Sequence, residues 1–198
     1  MISRLRFSIR FIALTLVVFC TTAAFATPPR KRTVSKLVRP NEPVEVIAVR
    51  VKGKPVIFEK AFAGQNNWLG GLTLVIKNTS TKPVDWVKVA LKFPKEKGSG
   101  YGLVDYVTYG VGRSDIEKFR GGGPPLKPGE TAEVSYSWDQ YQSLREILDG
   151  MNYPKSITLI EASIDQVSFV GEHEVMWIQG GLCKEDYHSP TGWSPVKP

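Results

Sequence analysis

The chain has 198 residues, 26 Lys+Arg against 19 Asp+Glu, and two cysteines, a length that suits one ordinary domain rather than two. The basic excess lies at the front: three arginines fall in residues 1–26 and five more basic groups in 27–39, leaving 18 basic against 19 acidic side chains over 40–198. A folded part so close to neutrality lacks the electrostatic footprint of a nucleic-acid binder, and that class of partner is excluded.

Residues 1–26 place Arg4, Arg6 and Arg10 ahead of an apolar run from Phe11 to Phe19, followed by small residues ending Ala24-Phe25-Ala26. This order predicts a secretory signal peptide cut after Ala26, and an extracytoplasmic location, periplasmic or secreted. Arg30, Lys31 and Arg32 follow almost at once, so retention as a membrane anchor is the competing reading and the only one that brings in a membrane. Removal of residues 1–26 leaves Cys183 alone, which forbids an internal disulfide.

Residues 27–43, with four prolines and five basic groups, read as a linker. From Val44 the chain turns β-rich. Val44–Val51 is a strand whose alternation slips near Ile47, as a bulge would make it do. Lys52-Gly53-Lys54 is a turn, and Pro55 to Phe62 a short edge strand. Leu72, Leu74 and Ile76 alternate with Thr73, Val75 and Lys77; Asn78 to Pro83 turn; Val87, Val89, Leu91 and Phe93 alternate with Lys88, Ala90 and Lys92. Period two on both arms predicts a hairpin with one buried face. Asn78-Thr79-Ser80 also matches a glycosylation sequon, but the turn explains it better.

Gly98 to Gly102 is a further turn, Leu103 to Tyr109 a strand, and Arg113 to Glu130 a long loop. Ala132, Val134, Tyr136 and Trp138 then share the apolar phase of another strand. Asp139 and Gln142 suggest the start of a helix with a stripe of Tyr141, Leu144, Ile147 and Leu148, stopped at Gly150. Its short length suits a crossover between sheets. Ser156 to Phe169 is long enough for two strands or one bent one, Glu174 to Ile178 adds a last strand, and 184–198 is an irregular tail. The sum is an all-β, immunoglobulin-like antiparallel β-sandwich of seven to eight strands with one short helix, spanning 44–183.

The segments Leu72 to Val84 and Leu126 to Glu130, with Asn67-Trp68-Leu69, Ile164-Asp165 and Met176-Trp177, resemble uncharacterised bacterial exported proteins with a single immunoglobulin-like domain. The resemblance covers about Glu42 to Trp193. It implies the same fold and carries no catalytic residue to map.

No nucleophile elbow or phosphate loop occurs, and His173-Glu174 lacks the second histidine of a zinc-protease helix because Trp177 stands there. Glu172, His173, Glu174, Cys183, Glu185, Asp186 and His188 hold metal-binding types without ligand spacing, so no cofactor or metal is expected. Trp138 and Trp177 fit the core. Trp86 shares the phase of Lys88 and Lys92, and Trp68 sits among Gln65, Asn66, Asn67, Gly70 and Gly71. Trp68, Trp86, Lys88 and Lys92 are therefore the candidate partner-binding residues. The expected function is a non-catalytic exported module, not an enzyme, that binds a protein or cell-envelope component. The alternatives are a glycan-binding module using exposed tryptophans and, last, a thiol- or metal-dependent enzyme.

Overall fold

The computed structural model describes residues 29–94, 102–110, 124–151, 153–154, 156–172 and 174–196. Its elements in chain order are β1 (Arg30–Lys36), β2 (Val44–Val51), β3 (Lys54–Val56), β4 (Phe62–Gly64), a 3-10 turn (Trp68–Gly71), β5 (Leu72–Asn78), β6 (Val84–Phe93) and β7 (Leu103–Gly110). There follow β8 (Thr131–Ser135), α1 (Trp138–Gly150), β9 (Leu159–Phe169), β10 (Val175–Ile178), β11 (Gly181–Glu185) and β12 (Trp193–Pro195). Two sheets pack face to face, and one helix carries the chain from the smaller to the larger, as expected of an all-β sandwich.

The smaller sheet runs β3-β2-β5-β8, all antiparallel. Its β2 slips register between Val46 and Ala48, the bulge that the broken alternation at Ile47 foretells. The larger sheet is organised by β9, which pairs with β6 along one side. On its other side it pairs with β1 near its start and β10 near its end. Beyond these lie β7, β4 and the β11–β12 pair. Ser156 to Phe169 thus makes one long irregular strand, since its pairing with β6 slips twice.

Period two works on β6: Val87, Val89, Leu91 and Phe93 are buried in the core with Leu74 and Ile76 of β5, while Lys88 and Lys92 are half-buried on the opposite face. Asn78 is wholly buried, donating to the carbonyls of Lys82 and Leu126 and accepting from the amide and hydroxyl of Ser80. Its amide is a structural strut of the turn, which settles the competition between turn and sequon.

Three expectations need correction. Residues 27–43 are not all linker, because Arg30–Lys36 forms β1, antiparallel to β4 and parallel to β9. Val34 and Arg32 alternate inward at 0 % exposure, and the Arg32 guanidinium donates to the carbonyls of Gly64 and Ile157, to Ser156 Oγ and to Asn66 Oδ1 at 2.6–3.3 Å. A buried guanidinium with its donors engaged can lie inside a strand that composition alone marks as solvated. The 184–198 tail likewise contains the end of β11 and all of β12, so the strands number twelve among the described residues.

The third correction concerns the helix. Ser137, not Asp139, caps it: Ser137 Oγ accepts from the Gln140 amide at 3.1 Å while Gln140 Oε1 accepts from the Ser137 amide at 2.9 Å, a complete capping box. Trp138 is the first helical residue rather than the last of a strand, and it is 47 % exposed rather than in the core. Tyr141, Leu144 and Leu148 are buried as the stripe requires, whereas Ile147 is exposed. The signal-peptide reading of 1–26, the turn at 98–101, most of the 113–130 loop and His173 lie outside the described residues.

Candidate functional site

The tryptophans expected to be exposed are inside. Trp68 is 0 % exposed: the 3-10 turn tucks its ring under the loop, where Nε1 donates to the Ile157 carbonyl at 2.9 Å and the ring meets Phe62 edge-on at 5.4 Å. That hydrogen bond offsets the cost of burying the indole N–H. Trp86 is 1 % exposed, outside the core cluster on the other face of the large sheet, with the Gly110 backbone crossing closely over its Cα. Lys88 Nζ lies 4.5 Å from the Tyr106 ring centroid, and Lys92 Nζ lies 3.4 Å from Glu161 Oε1. The four residues Trp68, Trp86, Lys88 and Lys92 therefore make no common platform.

The loop that holds Trp68 nevertheless carries an open aromatic. Trp138, brought there by the first turn of α1, lies over Gly70, where a Cβ would fall 2.5 Å from ring atom Cε3. Lys52 covers the neighbouring glycine in the same way: a Cβ at Gly71 would fall 2.8 Å from Lys52 Cγ. The two successive glycines thus take the indole on one and the lysine stem on the other. Only residues without side chains permit so close an approach.

Each wall of this shelf is fixed. Lys52 occupies the left-handed region at φ 50°, followed by Gly53 at φ 76°, in the two-residue turn joining β2 and β3, and its amide donates to the Gly71 carbonyl at 2.7 Å. Its Nζ donates to Asn67 Oδ1 at 2.9 Å and Gln65 Oε1 at 3.3 Å. With both oxygens turned to Lys52, the two amide nitrogens remain as donors. Tyr141 packs against Trp138 at 5.3 Å and donates to the Asn66 carbonyl at 3.2 Å, and Asn66 Oδ1 accepts from Arg32 at 2.9 Å. Burial, more than its charged neighbours, raises the Tyr141 pKa, which keeps that phenol a donor.

The shelf is cationic. Lys52 has no carboxylate within ion-pair distance among the described residues, and neither have the exposed Arg30 and Lys31, although Arg30 is in register with Gly64, the residue before Gln65. Asp139 is the one acidic side chain in the first turn of α1.

Other candidate chemistry is less well assembled. Burial raises the Cys183 pKa, away from the reactive thiolate, and its Sγ donates weakly to the Gly181 carbonyl at 3.9 Å. Among the described residues no three His, Cys, Asp or Glu side chains gather as metal ligands. A cleft of about 480 Å³ between Pro43, Phe169, Trp177, Leu182 and Val196 is apolar and holds no titratable side chain.

No family model, curated protein or solved structure matches the chain. The site rests on its own geometry. The sequence reading put the exposed indole at Trp68, whereas the exposed indole against that loop is Trp138. The spacing Ser137-x-x-Gln140 was the available signal, for it starts the helix at Trp138 and removes that residue from the strand phase.

Proposed function

We propose that the protein is an exported, non-catalytic binding module that holds a cell-envelope partner against the Trp138 shelf. The observation that carries this reading is the half-exposed indole of Trp138, seated on Gly70 in a loop whose amides are held by Lys52, a lysine with no described carboxylate partner. Exposed tryptophan fixed beneath and ringed by polar groups is what a recognition surface needs, because the ring binds by area and loses little conformational freedom. A rigid shelf also spares the partner the ordering cost of a mobile one. Among the described residues no hydroxyl or thiol is hydrogen-bonded to an imidazole, and the serines on carboxylates, Ser168 on Asp85 and Ser194 on Asp186, lie outside the Trp138 loop, which is why binding rather than turnover is proposed.

Sedimentation with isolated envelope material tests it. The wild-type protein should pellet with the envelope, and Trp138→Ala, checked for retained folding, should stay in the supernatant. Equal pelleting of the two proteins would move the contact elsewhere, and failure of both to pellet would remove the envelope partner.

A further inference from the structure

The shelf offers more than a generic contact. Resting on the reading of the protein as a binding module, we infer that Trp138 stacks a pyranose ring of an anionic glycan, with Gln65, Asn67 and Lys52 bonding its oxygens and Lys52 and Arg30 drawing its charge.

Four observations converge on that occupant. Trp138 is 47 % exposed while the six-membered part of its indole packs on Gly70 at Cε3 and Cζ3. A pyranose has a matching C–H face with polar edges, so stacking leaves its hydroxyls at the rim where the amides lie. Secondly, none of the other large exposed apolar residues lies in the 65–71 loop or in the first two turns of α1. A protein interface of stable size wants roughly 800 Å² per partner around an apolar centre, which a lone indole among amides does not supply. A single sugar ring asks for no more area than one indole. Thirdly, Gln65 and Asn67 turn their oxygens to Lys52 and leave N–H donors, which suit hydroxyl and carboxylate oxygens alike. Fourthly, Lys52 and Arg30 have no carboxylate within ion-pair distance among the described residues, and Arg30 shares a strand face with Arg32, which holds Asn66, so positive charge borders the 65–71 loop.

The same ring chemistry is offered by a soluble oligosaccharide and by an insoluble polymer, and the experiment separates the two. The probes are tetragalacturonate, its neutral counterpart galactotetraose, and purified insoluble peptidoglycan. The proteins are the full chain as secreted, Trp138→Ala, Trp138→Phe and Asn67→Ala, each checked by thermal unfolding. Trp138→Phe retains a ring over Gly70, and so covers the case in which the alanine variant fails to fold.

The expected result is binding of tetragalacturonate that is stronger than that of galactotetraose and weakens as salt is raised. Trp138→Ala should lose about tenfold or more, with Trp138→Phe between it and wild type and Asn67→Ala weakened several-fold. Pelleting with peptidoglycan but no soluble binding, still lost in Trp138→Ala, supports the inference with the polymer as the source. Equal binding of neutral and acidic sugars, or sugar binding that survives Trp138→Ala, overturns it. If no sugar binds while Trp138-dependent pelleting with envelope persists, the glycan fails and the module stands. If neither occurs, both fall.

Discussion

Trp138 lies across Gly70 so closely that no methyl group fits between them: a Cβ on Gly70 would meet ring atoms Cε3 and Cζ3 at 2.5 and 2.9 Å. This contact ties the start of α1 to the turn before β5 and keeps the indole flat on the surface. Gly70→Ala is expected to lift or tilt the ring at a cost of about 1–3 kcal/mol, the usual range for overpacking. A denaturant titration gives the cost, and near-UV circular dichroism should show the altered indole environment. An unchanged spectrum with unchanged stability would mean that the ring does not rest there.

The Arg32 guanidinium joins β1 to the last residue of β4, to Asn66 and to the approach to β9. Arg32→Ala leaves the Gly64 and Ile157 carbonyls and Asn66 Oδ1 without their donor, and should cost about 2–4 kcal/mol. Arg32→Lys should recover part of it, because one ammonium cannot reach acceptors spread around a planar fork. Urea unfolding measures both. A loss within about 0.5 kcal/mol for Arg32→Ala would return residues 30–36 to the linker that their composition suggests.

Both lessons bear on what a sequence can disclose. The β5–β6 hairpin was legible because its two arms alternate cleanly and Asn78 has a local role, so the signal and the structure live on the same few residues. β1 was hidden because its inward arginine is satisfied by groups 32 to 125 residues away, and charge read locally means solvent. Trp68 misled for a similar reason: its neighbours are polar, but its partner is the Ile157 carbonyl on a distant segment. Trp138 was misassigned because strand phase was extended one residue past Ser137, where the helix cap ends it. The shelf joins three separate stretches of chain, which no spacing rule anticipates.

Leu91 and Lys92 are adjacent on β6 and should respond oppositely to truncation. Leu91 is completely buried, so Leu91→Ala should cost about 2–5 kcal/mol. Lys92 is paired with Glu161 on a half-exposed face, and Lys92→Ala should cost less than about 1 kcal/mol. Guanidinium titration of the two variants checks the register of the strand directly.

Tyr136 donates its hydroxyl to Asp105 Oδ2 across the sandwich, joining the residue after β8 to β7. Burial first, then Asp105, pushes its pKa far above the ordinary tyrosine value. The phenol is therefore held neutral in the folded state, while in the unfolded chain it ionises near pH 10. Its contribution is complete below that pH and is lost as the pH rises beyond it. Tyr106, Tyr109 and Tyr141 are raised in the same direction, mainly by burial. Stability should hold to about pH 9 and then fall, and Tyr136→Phe should reduce the slope above pH 10 by about 1.4 kcal/mol per pH unit, one proton's share. Identical slopes in the two proteins would contradict the buried phenol.

The indole N–H resonances of the five tryptophans, assigned by single Trp→Phe variants in a ¹H–¹⁵N spectrum, provide the most direct measurement of the site. On titration with tetragalacturonate the account predicts a progressive shift of the Trp138 resonance, with those of Trp68, Trp86 and Trp177 stationary because their rings are sealed. Movement of Trp68 or Trp86 with Trp138 unmoved would contradict it.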